Sequence, residues 1–215
     1  MAVGRLVRSE GTVVLELWLI RHGETDWNAQ GRIQGSSDQP LNAQGLAQAR
    51  RLGARLAHAR FDAVYASDLK RAAQTARTAL PEAEVRLDAR LRELAYGMLE
   101  GHTWAEIDPE TEALVAQWRE DPYAQRVPGG ESYDDLLERF GAFRADLPVE
   151  GRVAAFTHGG LVRSALYATV GRPDGRTWGF AVENTGITRL RFGPERVTLV
   201  TVNDHAHLMN GVYDG

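Results

Sequence analysis

Short apolar runs alternating with helical stripes constrain this chain more than any other feature. Runs rich in β-branched and aromatic residues occur at 13–20, 61–66, 153–157, 186–192 and 196–202, with a weaker one at 85–87. Each is bounded by turn residues, which reads as a strand. Between them, Asn42 stands as a cap before Leu46, Ala49, Gly53 and Leu56, and Ser67 stands where a cap belongs before DLKRAAQTARTAL. Ser132 and Asp135 resemble a capping box ahead of Leu136, Leu137, Phe140 and Phe143. Gly159-Gly160 precede LVRSALYATV, which stops at Gly171. Strands alternating with helices predict an α/β fold, a three-layer α/β/α sandwich around a mostly parallel sheet. Residues 95–130 break the rhythm with Trp104, Trp118, Pro122, Tyr123 and Pro128, and read as an insertion or lid over the carboxyl ends of the strands. Residues 1–12 read as a flexible tail and 13–215 as one domain.

The totals narrow the function classes. A 215-residue chain that is 43% hydrophobic can fill a sizeable core. A net charge of -4 with scattered basic residues argues against nucleic acid as a partner. The absence of cysteine excludes disulfides, thiol catalysis and thiolate metal sites. No apolar run approaches membrane-spanning length, and the N-terminus lacks the apolar stretch of a signal peptide. The expectation is a cytoplasmic protein with no membrane partner. A homodimer is the one assembly kept open.

In open α/β sheets, ligands bind beyond the carboxyl ends of the strands. Three segments fall there: Ile20-Arg21-His22-Gly23, Tyr65 to Arg71, and Phe156-Thr157-His158-Gly159-Gly160. Together they are expected to gather Arg21, His22, Arg71 and His158 around one point. Arg71 sits near a helix start, the wrong end of the helix dipole for a cation. Its bland reading is a pair with Asp68 or exposure to solvent; the functional one is an anion bound by helix amides and a guanidinium fork. A lone histidine after a buried strand is commonly structural, but here two are each followed by glycine, where a ligand can approach the backbone. A neutral imidazole can attack phosphorus, and flanking cations favour that neutral form.

RHGETDWN, SDLKRAAQTA, LRELAYGMLEG, GGES and THGG, in this order, resemble the histidine phosphatase superfamily, the phosphoglycerate-mutase-like group. The resemblance runs from about residue 15 to about 207. It implies that His22 is the nucleophile that becomes phosphohistidine. It implies that Arg21, Arg71 and His158 bind the phosphoryl group, and that Glu93 donates a proton to the leaving alcohol and later serves as base toward water. Asn28, Gln34, Gly35 and the amide end at Gly159 are implied to line the phosphate pocket, and Tyr96 and Trp104 are candidates for the substrate pocket beside it. Phosphoryl transfer needs mainly positioning and positive charge, so no cofactor and no metal is called for. The bland alternative for Glu93 is a surface carboxylate paired with Arg90 or Arg92.

Mutases of this group resemble one another in a lysine after the Y-G segment and an arginine pair in the insertion. Here Trp104 stands at the lysine position, Trp118-Arg119-Glu120 replaces the pair, and the proline-rich stretch is shortened to DPYAQRVPGGES. The pocket is therefore read as more apolar, favouring a phosphatase of small phosphomonoesters. Phosphoglycerate mutase is the alternative, and a phospho-ligand binding module without turnover is the alternative of another class. Trp104, Met98, Leu99 and Trp118 are each open between core and pocket, and Arg119 and Arg126 remain able to contact a second anion. Asp204-His205-Ala206-His207 invites a metal, with both histidines on one face of a strand, but lacks a further ligand nearby. His207 is read as structural.

Overall fold

In the computed structural model, which describes residues 14–171 and 179–209, the apolar runs form a six-stranded sheet. The first half runs β1 (Leu15–Arg21), α1 (Asp26–Ala29), α2 (Ala43–Leu56), β2 (Ala63–Ala66), α3 (Lys70–Ala79) and β3 (Val85–Leu87). The second runs α4 (Pro109–Glu120), α5 (Tyr133–Ala145), β4 (Gly151–Thr157), α6 (Gly159–Val170), β5 (Ile187–Phe192) and β6 (Val197–Asp204). The strand order is β3-β2-β4-β1-β5-β6. The first four are parallel, and β5 and β6 are added antiparallel to their neighbours. The expected tail at 1–12 lies outside the described residues.

Alternation along the strands builds the two outer layers. Leu15, Leu17 and Leu19 of β1, with Val153 and Ala155 of β4, pack on Phe140 and Phe143 of α5 and Leu161, Val162 and Leu166 of α6. The intervening Ile20, Ala154 and Phe156 face the other way, onto Leu52 and Leu56 of α2 and Ala76 and Ala79 of α3. This is the period of two that a sheet covered on both faces requires. Each large aliphatic or aromatic side chain so buried stabilises the fold by about 1.5–3 kcal/mol. Truncating the fully buried Phe156 to alanine is expected to cost about 3–5 kcal/mol.

The caps follow the sequence with one exception. Asn42 accepts from Gly45 N at 2.8 Å, and Ser132 and Asp135 close a capping box. Ser67 does not cap α3. Its Oγ accepts from Leu69 N, and the helix begins at Lys70, whose N–H donates to Asp38 Oδ1 at 2.6 Å. The cap comes from a distant loop, which local reading could not supply. A second correction concerns Asp204 to His207. β6 ends at Asp204, and His205 and His207 lie in a 3-10 turn rather than alternating on a strand.

Residues 95–130 are pinched off at their base. Glu131 N donates to Ala95 O, Ala95 N donates to Glu131 Oε2, and a β-bridge joins Tyr96 to Gly130. Inside the pinch lie α4 and two short 3-10 turns. Leu99 and Trp118 are buried, with Trp118 stacked on Tyr133, so both are core. Met98 is exposed. Among the described residues no helix is long and apolar enough to cross a membrane.

Candidate active site

Adjacent β1 and β4 send their continuations to opposite faces of the sheet, β1 toward α2 and β4 into α6. A crevice opens where such connections diverge. Register places Arg21 beside Thr157, so the residues that follow, His22 and His158, leave the sheet side by side with ring centroids 5.1 Å apart. Three sequence-distant segments thus meet as the strand ends had suggested.

His22 is 3% exposed and lies at a cavity of about 300 Å³. Its Nδ1 lies 2.7 Å from Gly23 O, a contact only the protonated nitrogen can make. Nε2 is then the unprotonated nitrogen of the neutral ring. Burial first, then Arg71 and Arg21, hold the His22 pKa well below the ordinary histidine value. The following residue, Gly23, packs against α2 rather than leaving room for a ligand: a Cβ there would sit 2.6 Å from Gly45 O.

Arg71 is fully buried and does not pair with Asp68, whose carboxylate is taken by Arg92. The guanidinium donates to Gly35 O and Ser37 O, both at 2.7 Å, and through Nε to His158 Nδ1 at 3.1 Å. Three of its five N–H groups are thereby used, and two remain for the cavity that it lines. Burial lowers the Arg71 pKa to about 10, which leaves it charged. His158, accepting at Nδ1, carries its proton on Nε2, a buried atom with no partner. Burial and then Arg71 hold the His158 pKa well below its ordinary value. His158 stands behind the cavity wall and does not line it.

Segment 182–186 fixes the end of β1. Arg21 donates to Val182 O, Asn184 Nδ2 to His22 O, and Thr185 N to Arg21 O and His22 O. Thr185 holds a φ of 59° and is braced by His207 Nε2 at 2.9 Å from its hydroxyl. His207 therefore has a structural contact. Among the described residues no group of three histidine, aspartate or glutamate side chains is placed to hold a metal.

Glu93 is not paired with Arg90 or Arg92, which bind Asp88, Asp146 and Asp68. Its carboxylate accepts from Gly160 N and Leu94 N, both at 2.9 Å. The first contact places it at the N-terminus of α6, where a negative charge is favoured. A Cβ on Gly160 would overlap Glu93 Oε1, so glycine is what lets the carboxylate reach the helix. The amide end of α6 is consequently occupied by Glu93, and Gly159, expected to line the pocket, does not. Behind Glu93, Arg139 donates to the carbonyls of Arg90, Arg92 and Glu93 at 2.7–2.8 Å and pairs with Glu131 at 3.0 Å.

The other expected residues are gathered in the cavity: Asn28, Gln34, Gly35, Tyr96 and Trp104 all line it. Thr25 Oγ1 donates to Gln34 Oε1 at 3.0 Å, and Thr25 and Asn28 close a capping box on α1. Glu100 anchors the loop that carries Gly35, accepting from Ser36 N, Ser37 Oγ and Tyr96 N. Trp104 is 46% exposed with Arg119 over its ring at 5.0 Å. Arg119 and Arg126, kept for a second anion, are tied to Glu112 and Asp135 and do not line the cavity. The sequence reading missed Arg32 and Arg163, which do. Arg163 follows Gly159 by four residues, the spacing of Arg71 from Ser67, a signal that was there to use.

A buried cluster of cations beside a neutral imidazole and a carboxylate is the chemistry that suits a phosphoryl group. The model of the histidine phosphatase superfamily (branch 1) matches residues 17–205, and the chain belongs to that superfamily. A probable phosphoglycerate mutase of Salmonella choleraesuis is 34% identical, over 83% of this chain and 86% of that protein. The alpha-ribazole phosphatase from Shigella flexneri shares the fold at a TM-score of 0.79 and 28% identity, over 88% of this chain and 96% of that one. A phosphoserine phosphatase from Entamoeba histolytica, solved with 3-phosphoglyceric acid, gives a TM-score of 0.76 and 29% identity, over 91% and 100%.

Proposed function

We propose that this protein is a metal-independent phosphatase of small phosphomonoesters that works through phosphohistidine on His22. The observation that carries the reading is the Nδ1 contact of His22 to Gly23 O, which leaves Nε2 unprotonated at a cavity lined by Arg21, Arg71 and Glu93. Nε2 attacks phosphorus while the ester P–O bond breaks, and Glu93 gives its proton to the departing oxygen. Arg21 and Arg71 take up the charge of the transferring group, the role a metal plays elsewhere, while His158 holds Arg71 from behind the cavity wall. Water then attacks the phosphohistidine, its proton returns to Glu93, and phosphate leaves. Asn28, Gln34, Gly35 and Tyr96 shape the phosphate end, and residues 95–130 form a lid that carries Trp104. The phosphatase relatives from Shigella flexneri and Entamoeba histolytica support this branch.

The test is trapping. Protein incubated with a radiolabelled phosphomonoester and quenched in base is expected to carry label on His22, and His22→Ala to lose both label and turnover of p-nitrophenyl phosphate. Label on another residue overturns the nucleophile assignment. Binding of phosphate without turnover by the unaltered protein favours the module without catalysis. Phosphoglycerate mutase is the second reading, favoured by the 34% identical relative. Isomerisation of 3-phosphoglycerate faster than its hydrolysis decides for it.

A further inference from the structure

Of the four arginines that line the cavity, three have work that is accounted for. Arg71 is bonded to two carbonyls and His158, Arg21 to Val182 O, and Arg32 to Glu106 in an ion pair of 2.7 Å. Arg163 makes no hydrogen bond or ion pair with any described residue. It sits one turn into α6, near the end of a helix that disfavours cations. It also lies beside another cation: a Cβ on Gly159 would be 3.4 Å from Arg163 Nη2 and 3.5 Å from Arg21 Nε, itself buried without a partner. Two adjacent guanidiniums, neither ion-paired among the described residues, favour an anion bound beside them.

We propose that Arg163 is a specificity-determining residue that binds a carboxylate on the leaving group, so that the preferred substrates are phosphomonoesters of hydroxy acids or amino acids. The inference rests on the roles given above to His22 and Glu93. A phosphoryl dianion is matched by Arg21 and Arg71, and Arg32 is matched by Glu106. When Glu93 carries the proton it donates, the charge of Arg163 is unmatched, and one further negative charge completes the site. Placement gives the end of the substrate concerned. Arg163 and Glu93 line the same cavity and flank consecutive glycines, Arg163 beside Gly159 and Glu93 beside Gly160, so Arg163 shares the side where the ester oxygen departs. A singly charged, planar carboxylate fits one guanidinium fork.

Matched esters test this. Phosphoserine and phosphoethanolamine differ by one carboxylate, as do 3-phosphoglycerate and glycerol 3-phosphate by a carboxylate against a hydroxymethyl group. Wild-type protein is expected to favour the carboxylate member of each pair in kcat/KM. Arg163→Gln is expected to reduce that preference about 10- to 100-fold, and Arg163→Lys to restore part of it. Absence of the preference in wild type, or equal losses on both members in Arg163→Gln, overturns the assignment. His22 labelling by phosphoethanolamine with no carboxylate preference sinks the Arg163 role alone. No labelling from any of the four esters sinks the phosphohistidine reading and this inference with it.

Discussion

Arg71 Nε and His158 Nδ1 meet at 3.1 Å inside the protein, and neither side chain reaches solvent. One permanent cation thus fixes the tautomer of a histidine 87 positions away and, together with burial, which acts more strongly, keeps that ring neutral.

Neutral buried histidines give the stability a pH dependence of defined sign. The native pKa values of His22 and His158 are depressed, so the unfolded chain binds more protons than the native one in acid. Stability is full above the unfolded value of about 6.5 and declines as pH falls below it, down to the lowered native values. Each unit of depression per histidine is worth about 1.4 kcal/mol. Thermal unfolding is expected to show Tm falling from pH 7 to 5, and an unchanged Tm over that range contradicts it. The same depression is expected to keep kcat/KM near its maximum at pH values where a free imidazole is already protonated.

Gly160→Ala places a methyl group on the Glu93 carboxylate. Loss of a positioned proton donor matters most for poor leaving groups. We expect kcat on an alkyl phosphate to drop about 100- to 1,000-fold, p-nitrophenyl phosphate to suffer far less, and His22 still to be labelled. Equal losses on both esters show that Glu93 is not the donor.

Arg139 spans three carbonyls of the loop that ends in Glu93 and is mostly shielded beside Glu131. Its removal leaves those carbonyls without the donor they share and the Glu131 carboxylate without its cation. Arg139→Ala is expected to cost about 3 kcal/mol in urea unfolding. Arg139→Lys should recover little, since an ammonium lacks the fork. A midpoint unchanged in the alanine variant refutes the clamp.

Excess EDTA is expected to leave turnover intact, because Arg21 and Arg71 would supply the positive field at the phosphoryl group. Activity lost to EDTA and regained only with an added divalent ion sinks that part of the mechanism.

The layers of the fold were legible because short apolar runs such as 13–20 and 153–157, alternating with helical stripes, are a local signal. Arg21, His22, Arg71, Glu93 and His158 were legible as candidates because each sits in a short segment with its own pattern. What escaped was supplied across the chain. Asp38 caps α3 from a loop 32 residues upstream, which made Ser67 look like the cap. Gly159 looked open to a ligand because nothing near it in sequence shows that Glu93 fills the helix end. Arg119 and Arg126 looked available until folding brought Glu112 and Asp135 to them.

The contacts of Glu100 set a boundary for anyone wishing to exchange the segment 95–130 for that of a relative. Gly101 N donates to Ile33 O, Ile33 N to His102 O, and Glu100 ties down Ser36 and Ser37, so residues up to 102 belong mechanically to the loop that carries Gly35. A transplant that starts before them takes away the scaffolding of Gly35, and with it the carbonyl that steadies Arg71. One that starts after His102 and rejoins before the Gly130 bridge replaces Trp104 and α4 as a cassette, and leaves the reacting half of the molecule as it was.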